Sequence, residues 1–466
     1  MQQDKNFLGT EPVGKLLVKL ALPAITAQII NLLYNMVDRI YIGHMPEEGA
    51  LALTGVGVCM PVIMIVSAFA ALVSMGGAPK ASIYMGKGEY DEAERVLGNC
   101  FTLQLVISAV LTTVLLLWNR QFLMAFGASE NTIYYANSYM KVYAMGTVFV
   151  QLTLGMNAFI TAQGFAKTSM FSVVIGAVCN IILDPVFIYG MDMGVQGAAL
   201  ATIISQAIST VWVLSFLIGK KTLLKIRRKY FRLEAGVVFP CMALGLAPFI
   251  MQASESVIMV CFNSSLLKYG GDLAVGAMTI LTSVMQFSML PVQGFGQGAQ
   301  PIISYNFGAS KEDRVRKTYK LLLLSNLTFT LTLWVLVMLF PQLFVKMFTP
   351  DKELISFGKW ALRIYMAGMG IFGAQMACQT TFVALGNAKA SILVAVTRKF
   401  FLLLPLIYIM PLLFADKTMA VYLAEPVADV LAVTFTVCLF RGQFKKALQT
   451  MREGKTDEKE GTESRS

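Results

Sequence analysis

Charged residues are scarce in this chain of 466 residues: Asp, Glu, Lys and Arg make up 14%, where a soluble domain carries about 25%. The chain also has one histidine and seven cysteines, and no two cysteines form a Cys-x-x-Cys pair. The shortage of charge excludes an ordinary soluble protein. The isolated cysteines argue against a disulfide framework or a cysteine metal site. Residues 1–15 lack the apolar core of a cleavable signal peptide, so we expect the first span to act as its own signal.

Apolar residues are abundant instead, at 56%. Stretches of about 20 apolar residues, enough to cross a hydrocarbon core of about 30 Å, recur along the chain. They predict an all-α integral membrane protein with about twelve transmembrane helices. The predicted spans are 16–43, 50–75, 96–118, 132–160, 169–190, 195–218, 240–266, 273–298, 318–340, 358–384, 391–413 and 419–440.

The second half of the chain repeats the first. A shift of 222 residues places Pro301 on Pro79, Ser304 on Ser82 and Gly308 on Gly86. Six spans in each half insert both halves in the same direction, which predicts two six-helix bundles related by a pseudo-twofold axis along the membrane normal. We expect an N-terminal lobe (1–219), a basic cytoplasmic linker (220–238), a C-terminal lobe (239–442) and a charged, disordered cytoplasmic tail (443–466).

The formal net charge is +11, but the placement of the basic residues argues against nucleic acid as a partner. With the N-terminus inside, most of the 38 Lys and Arg residues fall in cytoplasmic segments. That asymmetry follows the positive-inside rule and predicts that both termini are cytoplasmic. The basic linker then lies beside anionic lipid, with no aromatic residues spaced for base stacking.

Polar residues inside the apolar spans are the candidate functional residues. A carboxylate at mid-bilayer costs about 2.5–3.5 kcal/mol on insertion scales. In the first span four polar residues at helical spacing share one face, which must line a wet cavity or a polar core. They are Asn31, Tyr34, Asn35 and Asp38.

The fifth and sixth spans offer partners for this face. Asn180 and Asp184 are four residues apart, Pro185 removes a backbone hydrogen-bond donor, and Thr202 adds a hydroxyl. Carboxylate, amide and hydroxyl oxygens suit a small cation such as Na⁺, and a proton can replace it where two carboxylates meet. The alternative is that Asp38 pairs with Arg39 and Asp184 caps a helix break.

Other intramembrane charges carry weaker signals. Glu255 in the seventh span either faces a cavity or makes a buried structural hydrogen bond. Glu425 and Asp429 in the last span flank Pro426 as either a site or a kink. We expect Arg398 and Lys399, early in the eleventh span, to reach the cytoplasmic headgroups by snorkelling.

At these residues the chain resembles the multidrug and toxic compound extrusion (MATE) family, in the branch of the DNA-damage-inducible F-type transporters and the Gram-positive multidrug exporters. The resemblance covers nearly the whole chain. It is carried by residues 33–43, by Gly164 to Ser169, by residues 180–185 and by residues 197–202.

The resemblance implies a twelve-helix antiporter with a cation site formed by Asp38, Asn180, Asp184 and Thr202, which would hold Na⁺ if coupling is to sodium. It places Tyr34 and Asn157 along the same chamber. We add Asn35 and Glu255 as substrate-cavity candidates. A second branch of the family couples through a C-terminal glutamate and aspartate; Glu255 resembles the first, but no carboxylate stands near Ala374 and Gln375.

The predicted function is therefore secondary active multidrug efflux, in which H⁺ or Na⁺ is exchanged for organic cations or amphiphiles by alternating access. We expect a monomer in a bacterial cytoplasmic membrane with no cofactor beyond the coupling ion. Two alternatives stay open. A flippase for lipid-linked precursors or polysaccharide would need several basic residues in the cavity. An intramembrane aspartyl protease would be an enzyme, but its Gly-x-Gly-Asp motif has only a partial match at Gly270, Gly271 and Asp272.

Overall fold

The computed structural model describes residues 6–46 and 49–463. These residues form helices and connecting turns, without a strand among them, which confirms the predicted all-α class. The α-helices are α1 (Phe7–Thr10), α2 (Val13–Gly43), α3 (Gly49–Gly86), α4 (Tyr90–Ala125), α5 (Ile133–Met145), α6 (Thr147–Ala162), α7 (Ala166–Pro185), α8 (Gly194–Ile218), α9 (Ala235–Gly308), α10 (Glu312–Leu339), α11 (Pro341–Lys346), α12 (Lys352–Tyr365), α13 (Met369–Ala384), α14 (Ala388–Val396), α15 (Leu404–Leu413) and α16 (Lys417–Glu463).

Short turns of other helix types complete the chain. A 3₁₀ turn covers Arg228–Tyr230. Two π-helical turns, Val186–Gly190 and Thr397–Leu403, continue α7 and join α14 to α15. Such turns are frequent at functional sites, and the second one carries Arg398 and Lys399.

Nine helices among the described residues are long and apolar enough to cross a membrane. The bent pair α5 and α6, with an angle of 58°, adds a tenth span. The pair α12 and α13 occupies the tenth predicted span, and α9 holds both the seventh and the eighth. The prediction of a multi-pass helical membrane protein is therefore confirmed.

The 74-residue helix α9 is two spans joined at Gly271. Gly271 has φ 66° and ψ −165°, a conformation that is essentially restricted to glycine. Both limbs return to α3: Gly245 approaches the backbone of Leu72, and Gly308 approaches that of Ile83. A straight helix would separate Gly245 from Gly308 by about 95 Å, so the chain reverses at Gly271.

The sequence repeat is also a repeat of hydrogen bonds. The Ser82 hydroxyl donates to the carbonyl of Ala162 at 2.8 Å, and 222 residues later the Ser304 hydroxyl donates to the carbonyl of Ala384 at the same distance. Each bond joins the second transmembrane span of its half to the C-terminal end of the fourth span. The two halves therefore share one internal packing scheme.

The linker between the halves packs against α4 and α6. The buried Gln163 side-chain oxygen accepts hydrogen bonds from the Thr222 hydroxyl and from the backbone N–H groups of Leu223 and Leu224. Leu224 itself is fully buried. The end of the molecule that holds this linker is called the linker end below.

The charged tail differs from the prediction of disorder, because α16 continues as a helix to Glu463. Lys, Arg, Gln and Ala are good helix formers, and a helix that already exists adds further turns without a new nucleation step. Leu448 and Met451 are buried in the core, which stabilises the first part of this extension. The Arg452 guanidinium also binds Glu312 at the start of α10, at 2.7 Å from Nε to Oε2.

Candidate functional site

Two carboxyl groups meet where α2 packs against α7. Asp38 lies five residues before the end of α2, and Asp184 is the penultimate residue of α7. Both are buried, with 6% and 0% of their surfaces exposed. Their carboxyl groups lie within hydrogen-bonding range of each other. The structure therefore brings together two acidic residues that helical spacing alone could only place on two different helices.

Neutral donors surround this pair. The Asn180 amide donates to Asp184 Oδ1 at 3.1 Å and approaches Thr202 Oγ1 at 3.4 Å. The Thr202 hydroxyl donates to the carbonyl of Ala198 at 3.0 Å, and the Tyr139 hydroxyl lies in hydrogen-bonding range of Thr202. The site thus draws on α2, α5, α7 and α8.

The pair is short of hydrogen-bond donors. Among the described residues, Asp38 Oδ1, Asp184 Oδ2 and Asn180 Oδ1 are buried without a protein partner. Ionised carboxylates only accept hydrogen bonds, so two of them side by side repel each other unless a proton or a cation joins them. Oxygen donors from two carboxylates, an amide and a hydroxyl fit a small hard cation as well as a proton.

The structure does not favour the alternative in which Asp38 is neutralised by its neighbour. Arg39 is exposed, and no ion pair joins it to Asp38 within the described part of the chain. The groups of three or more Asp, Glu, His or Cys side chains typical of a resident metal are also absent from that part.

Two of the four predicted substrate-cavity residues adjoin this pair. Tyr34 lies one turn before Asp38, near enough to both carboxyl groups to interact electrostatically, and its hydroxyl approaches the Asn35 side chain. The Asn35 amide donates to the carbonyl of Asn31 at 2.6 Å. The polar face predicted on the first span therefore leads from Asn31 to the pair.

Asn157 lies elsewhere. Its amide donates to the carbonyl of Ser169 at 3.3 Å, near the start of α7. Ser169 is about 22 Å along that helix from Asp184. Asn157 is therefore not part of the carboxyl pair, and a contact with substrate at this position stays a prediction.

Glu255 belongs to a separate charged cluster in the second half, where its carboxylate accepts a hydrogen bond from the buried Lys399 ammonium. The residues on the same face of α9, Ile258, Phe262 and Leu266, are buried, whereas Val260 on the opposite face is 62% exposed. The Glu255 side chain is nevertheless 50% exposed. Since it does not share the outward face, this exposure opens to a space inside the molecule.

The prediction that Arg398 and Lys399 snorkel to the headgroups is wrong. Both are buried, and the Arg398 guanidinium binds Asp429 Oδ1 at 2.8 Å and Glu425 Oε1 at 2.9 Å. Ten residues separate Arg398 from the start of α14 at Ala388, which is about 15 Å or half a hydrocarbon core. At that depth a nearby carboxylate stabilises the guanidinium where the headgroups are out of reach.

Tyr139 is the site residue that sequence reasoning missed. It is buried against Tyr143, with stacked rings whose centroids are 6.3 Å apart. Two tyrosines four residues apart in an apolar span share a helix face, and that face has to satisfy their hydroxyls. This spacing was the available signal, and it indicates an inward face on the fourth span.

Comparison with known proteins gives a consistent result. A family model described as MatE matches residues 23–186 and 248–409. The chain is 24% identical over 445 residues to the multidrug export protein MepA of Staphylococcus haemolyticus strain JCSC1435, covering 95% of this chain and 96% of that protein.

Solved structures share the fold. The MATE multidrug transporter DinF-BH has 34% sequence identity and a TM-score of 0.87, covering 95% of this chain and 98% of that one. A MATE structure in the bent conformation has a TM-score of 0.90 at 21% identity, with 97% and 100% covered. At that identity the second match shows the fold alone.

Proposed function

The chain belongs to the MATE family, and from that premise we propose that it is a multidrug exporter that exchanges H⁺ or Na⁺ for organic cations or amphiphiles. Relatives named as multidrug export proteins, and a solved MATE multidrug transporter 34% identical to the chain, support the substrate class. MATE family transporters are not enzymes, so the aspartyl protease hypothesis is wrong. The protein is a multi-pass membrane transporter, and we place it in a bacterial cytoplasmic membrane with both termini inside.

The observation that carries the proposal is the contact between Asp38 and Asp184. Two buried carboxyl groups with unpartnered oxygens need a positive ion, and a cationic substrate competes for the same negative charge. One ion and one substrate in competition for one site is the physical basis of exchange, because each weakens binding of the other by the same factor.

The proposed cycle follows from this competition. A proton or Na⁺ enters from outside and reduces the negative charge of the Asp38–Asp184 pair by one. The polar face of α2 then repacks and releases the substrate outward. The loaded ion is released inside, and new substrate enters. A membrane potential of 100 mV contributes about 2.3 kcal/mol for each charge that moves inward. The ion changes the conformational equilibrium only if Asp38 is coordinated differently in the two states.

The charged cluster in the second half argues against a flippase. Such a protein needs cavity-facing basic residues free to bind diphosphate. Arg398 and Lys399 are the buried basic residues among the described spans, and each is already neutralised by carboxylates of Glu255, Glu425 and Asp429.

Dye transport in proteoliposomes tests the proposal. We expect uptake or release of a cationic dye to follow an imposed pH or Na⁺ gradient, and Asp38→Asn to abolish it because an amide cannot exchange a proton. The matched control is Asp272→Asn, which removes an exposed carboxylate in the turn between the two limbs of α9. Full transport by a correctly inserted Asp38→Asn variant would remove this residue from the mechanism.

A further inference from the structure

A groove of about 530 Å³ opens on the surface of the second half, between α10, α13 and α16. Three exposed basic residues line it towards the linker end: Arg316, Arg441 and Lys445. Apolar and aromatic residues line the remainder. The groove is thus basic at one end and apolar along its length.

Its dimensions match one leaflet of a bilayer. Arg316 and Leu327 both line the groove and lie eleven residues apart on α10, which is about 16 Å. Half of a hydrocarbon core is about 15 Å. On α16, Val437 lies at the same apolar end, two turns before Lys445. The acyl chain of a phospholipid would therefore lie along the apolar part of the groove, with the lipid headgroup at the basic residues.

The corresponding surface of the first half is covered by the chain itself. The 222-residue shift places Arg316 on Glu94. The Glu94 carboxylate accepts a hydrogen bond from the backbone N–H of Lys225 and forms an ion pair with the Arg227 guanidinium. Linker residue Leu224 is fully buried there. The second half has a basic residue where the first has an acidic one, and in the described part of the chain Arg316 is exposed.

We propose that the groove binds one anionic phospholipid, with its phosphate at Arg316, Arg441 and Lys445 and an acyl chain against Leu327 and Val437. Arg441 and Lys445 have no carboxylate partner among the described side chains, and Arg316 shares Glu312 with Arg452. A basic pocket between transmembrane helices at the membrane surface is the chemistry that binds anionic headgroups. The rings of Tyr319 and Phe440 are stacked with centroids 4.5 Å apart, and they form one side of the groove.

Native mass spectrometry of the full chain tests this, with phosphatidylglycerol and phosphatidylcholine of identical acyl chains as probes. We expect retention of phosphatidylglycerol over phosphatidylcholine. Arg441→Gln with Lys445→Gln should reduce the binding of phosphatidylglycerol by about fivefold for each charge removed. The matched control is Lys346→Gln with Lys352→Gln, which removes two exposed charges at the end of the second half opposite the linker end and should leave binding unchanged.

A second variant separates the groove from surface charge. Val437→Trp fills the apolar end without altering charge and should lower phosphatidylglycerol binding at least as far as the double charge variant. Equal loss in the Lys346→Gln and Lys352→Gln control, no preference in the unmodified protein, or undiminished binding by Val437→Trp would each overturn the proposal. A thermal unfolding midpoint equal to that of the unmodified protein shows that each variant is folded.

Discussion

Arg398 shows how a single buried cation organises the second half. Its guanidinium bridges Glu425 and Asp429, and it lies over the ring of Phe372 with 4.5 Å from Cζ to the centroid. Planar geometry allows it to bind two carboxylates and a ring at once, which an ammonium group cannot do. The cluster thus ties α13, the π-helical turn before α15, and α16 to one another.

Removal of Arg398 should be strongly destabilising. Arg398→Ala leaves two buried carboxylates without a cation, at a cost of about 3–5 kcal/mol. The prediction is a marked fall in the thermal unfolding midpoint of the purified protein. The triple variant Arg398→Ala, Glu425→Gln, Asp429→Asn should recover most of it, since no unpaired charge remains. A triple variant as unstable as the single one would show that packing, not charge, is responsible.

Individual site residues were predictable to different degrees. Asp38, Asn180, Asp184 and Thr202 could be singled out because intramembrane polar residues at helical spacing need a reason, and their role in ion coupling stays a prediction. The partners of Arg398 could not be found, because Glu425 and Asp429 lie on another helix and no local spacing connects them. The available signal was a balance of charge: two buried acids in the last span required a cation, and Arg398 was at a matching depth.

At the scale of elements, the linker is a packed segment and not a loose tether. Gln163 Oε1 accepts three hydrogen bonds from it, at 2.9, 2.7 and 2.9 Å. At the end of the linker, the Arg95 guanidinium holds the pKa of the Glu234 carboxyl below its usual range. That contact is therefore maintained at neutral pH and is lost only as the pH falls below the ordinary range of a glutamate.

Loss of the Gln163 acceptor should release the linker. Gln163→Leu leaves the backbone N–H groups of Leu223 and Leu224 without a partner, whereas the Thr222 hydroxyl still donates to the carbonyl of Leu224. At about 1 kcal/mol for each lost bond, the packed state loses about 2 kcal/mol. We expect faster tryptic cleavage after Lys220 and Lys221, measured on the folded protein. Thr222→Val removes one of the three bonds and should give a smaller increase. Identical cleavage rates in Gln163→Leu and the unmodified protein would contradict this account.

The number of transmembrane helices could be predicted from the sequence better than their breaks and bends could. Hydropathy identified the apolar stretches, but it could not show that α9 breaks at one residue, Gly271, or that α5 and α6 are bent by 58°. Both features depend on backbone angles at single residues. Hydropathy also could not reveal that the tail extends α16, because charge indicates solvent exposure and does not by itself exclude a helix.

At the scale of the whole molecule, the two halves meet through reciprocal contacts. A Cβ atom on Gly86 would lie 2.0 Å from the carbonyl oxygen of Tyr305, and one on Gly308 would lie 2.0 Å from that of Ile83. Ile83 and Tyr305 are themselves related by the 222-residue shift. The twofold repeat read from the sequence is therefore also the symmetry of the interface, at helix ends that pack backbone against backbone.

This symmetry predicts matched effects. Gly86→Ala and Gly308→Ala each place a methyl group against the backbone of the other half, and each should cost about 3 kcal/mol of stability. The two variants should show equal falls in thermal unfolding midpoint. Gly57→Ala, whose Cβ would meet nothing within 4 Å, is the control and should be no less stable than the unmodified protein, because alanine is the better helix former. A tolerated alanine at either Gly86 or Gly308 would contradict the reciprocal interface.

The two halves share packing but not charge, and this asymmetry could be read in the sequence only in part. Among the described residues, the first half has an acidic pair without an ion-pair partner. The second half has three carboxylates paired with two buried cations, which leaves one carboxylate in excess. Of the buried carboxyl groups in these two described clusters, Asp38 and Asp184 are the ones that form no ion pair. The proposal of exchange therefore depends on the first half as the place where ion and substrate compete.

That competition can be measured directly as the release of protons when a cationic dye binds to purified protein in a weakly buffered solution. The prediction is that dye binding releases protons from the unmodified protein, or weakens as Na⁺ is added, and that Asp38→Asn shows neither effect. Dye binding that releases no proton and ignores Na⁺ in the unmodified protein, or equal proton release by Asp38→Asn, would contradict the central claim.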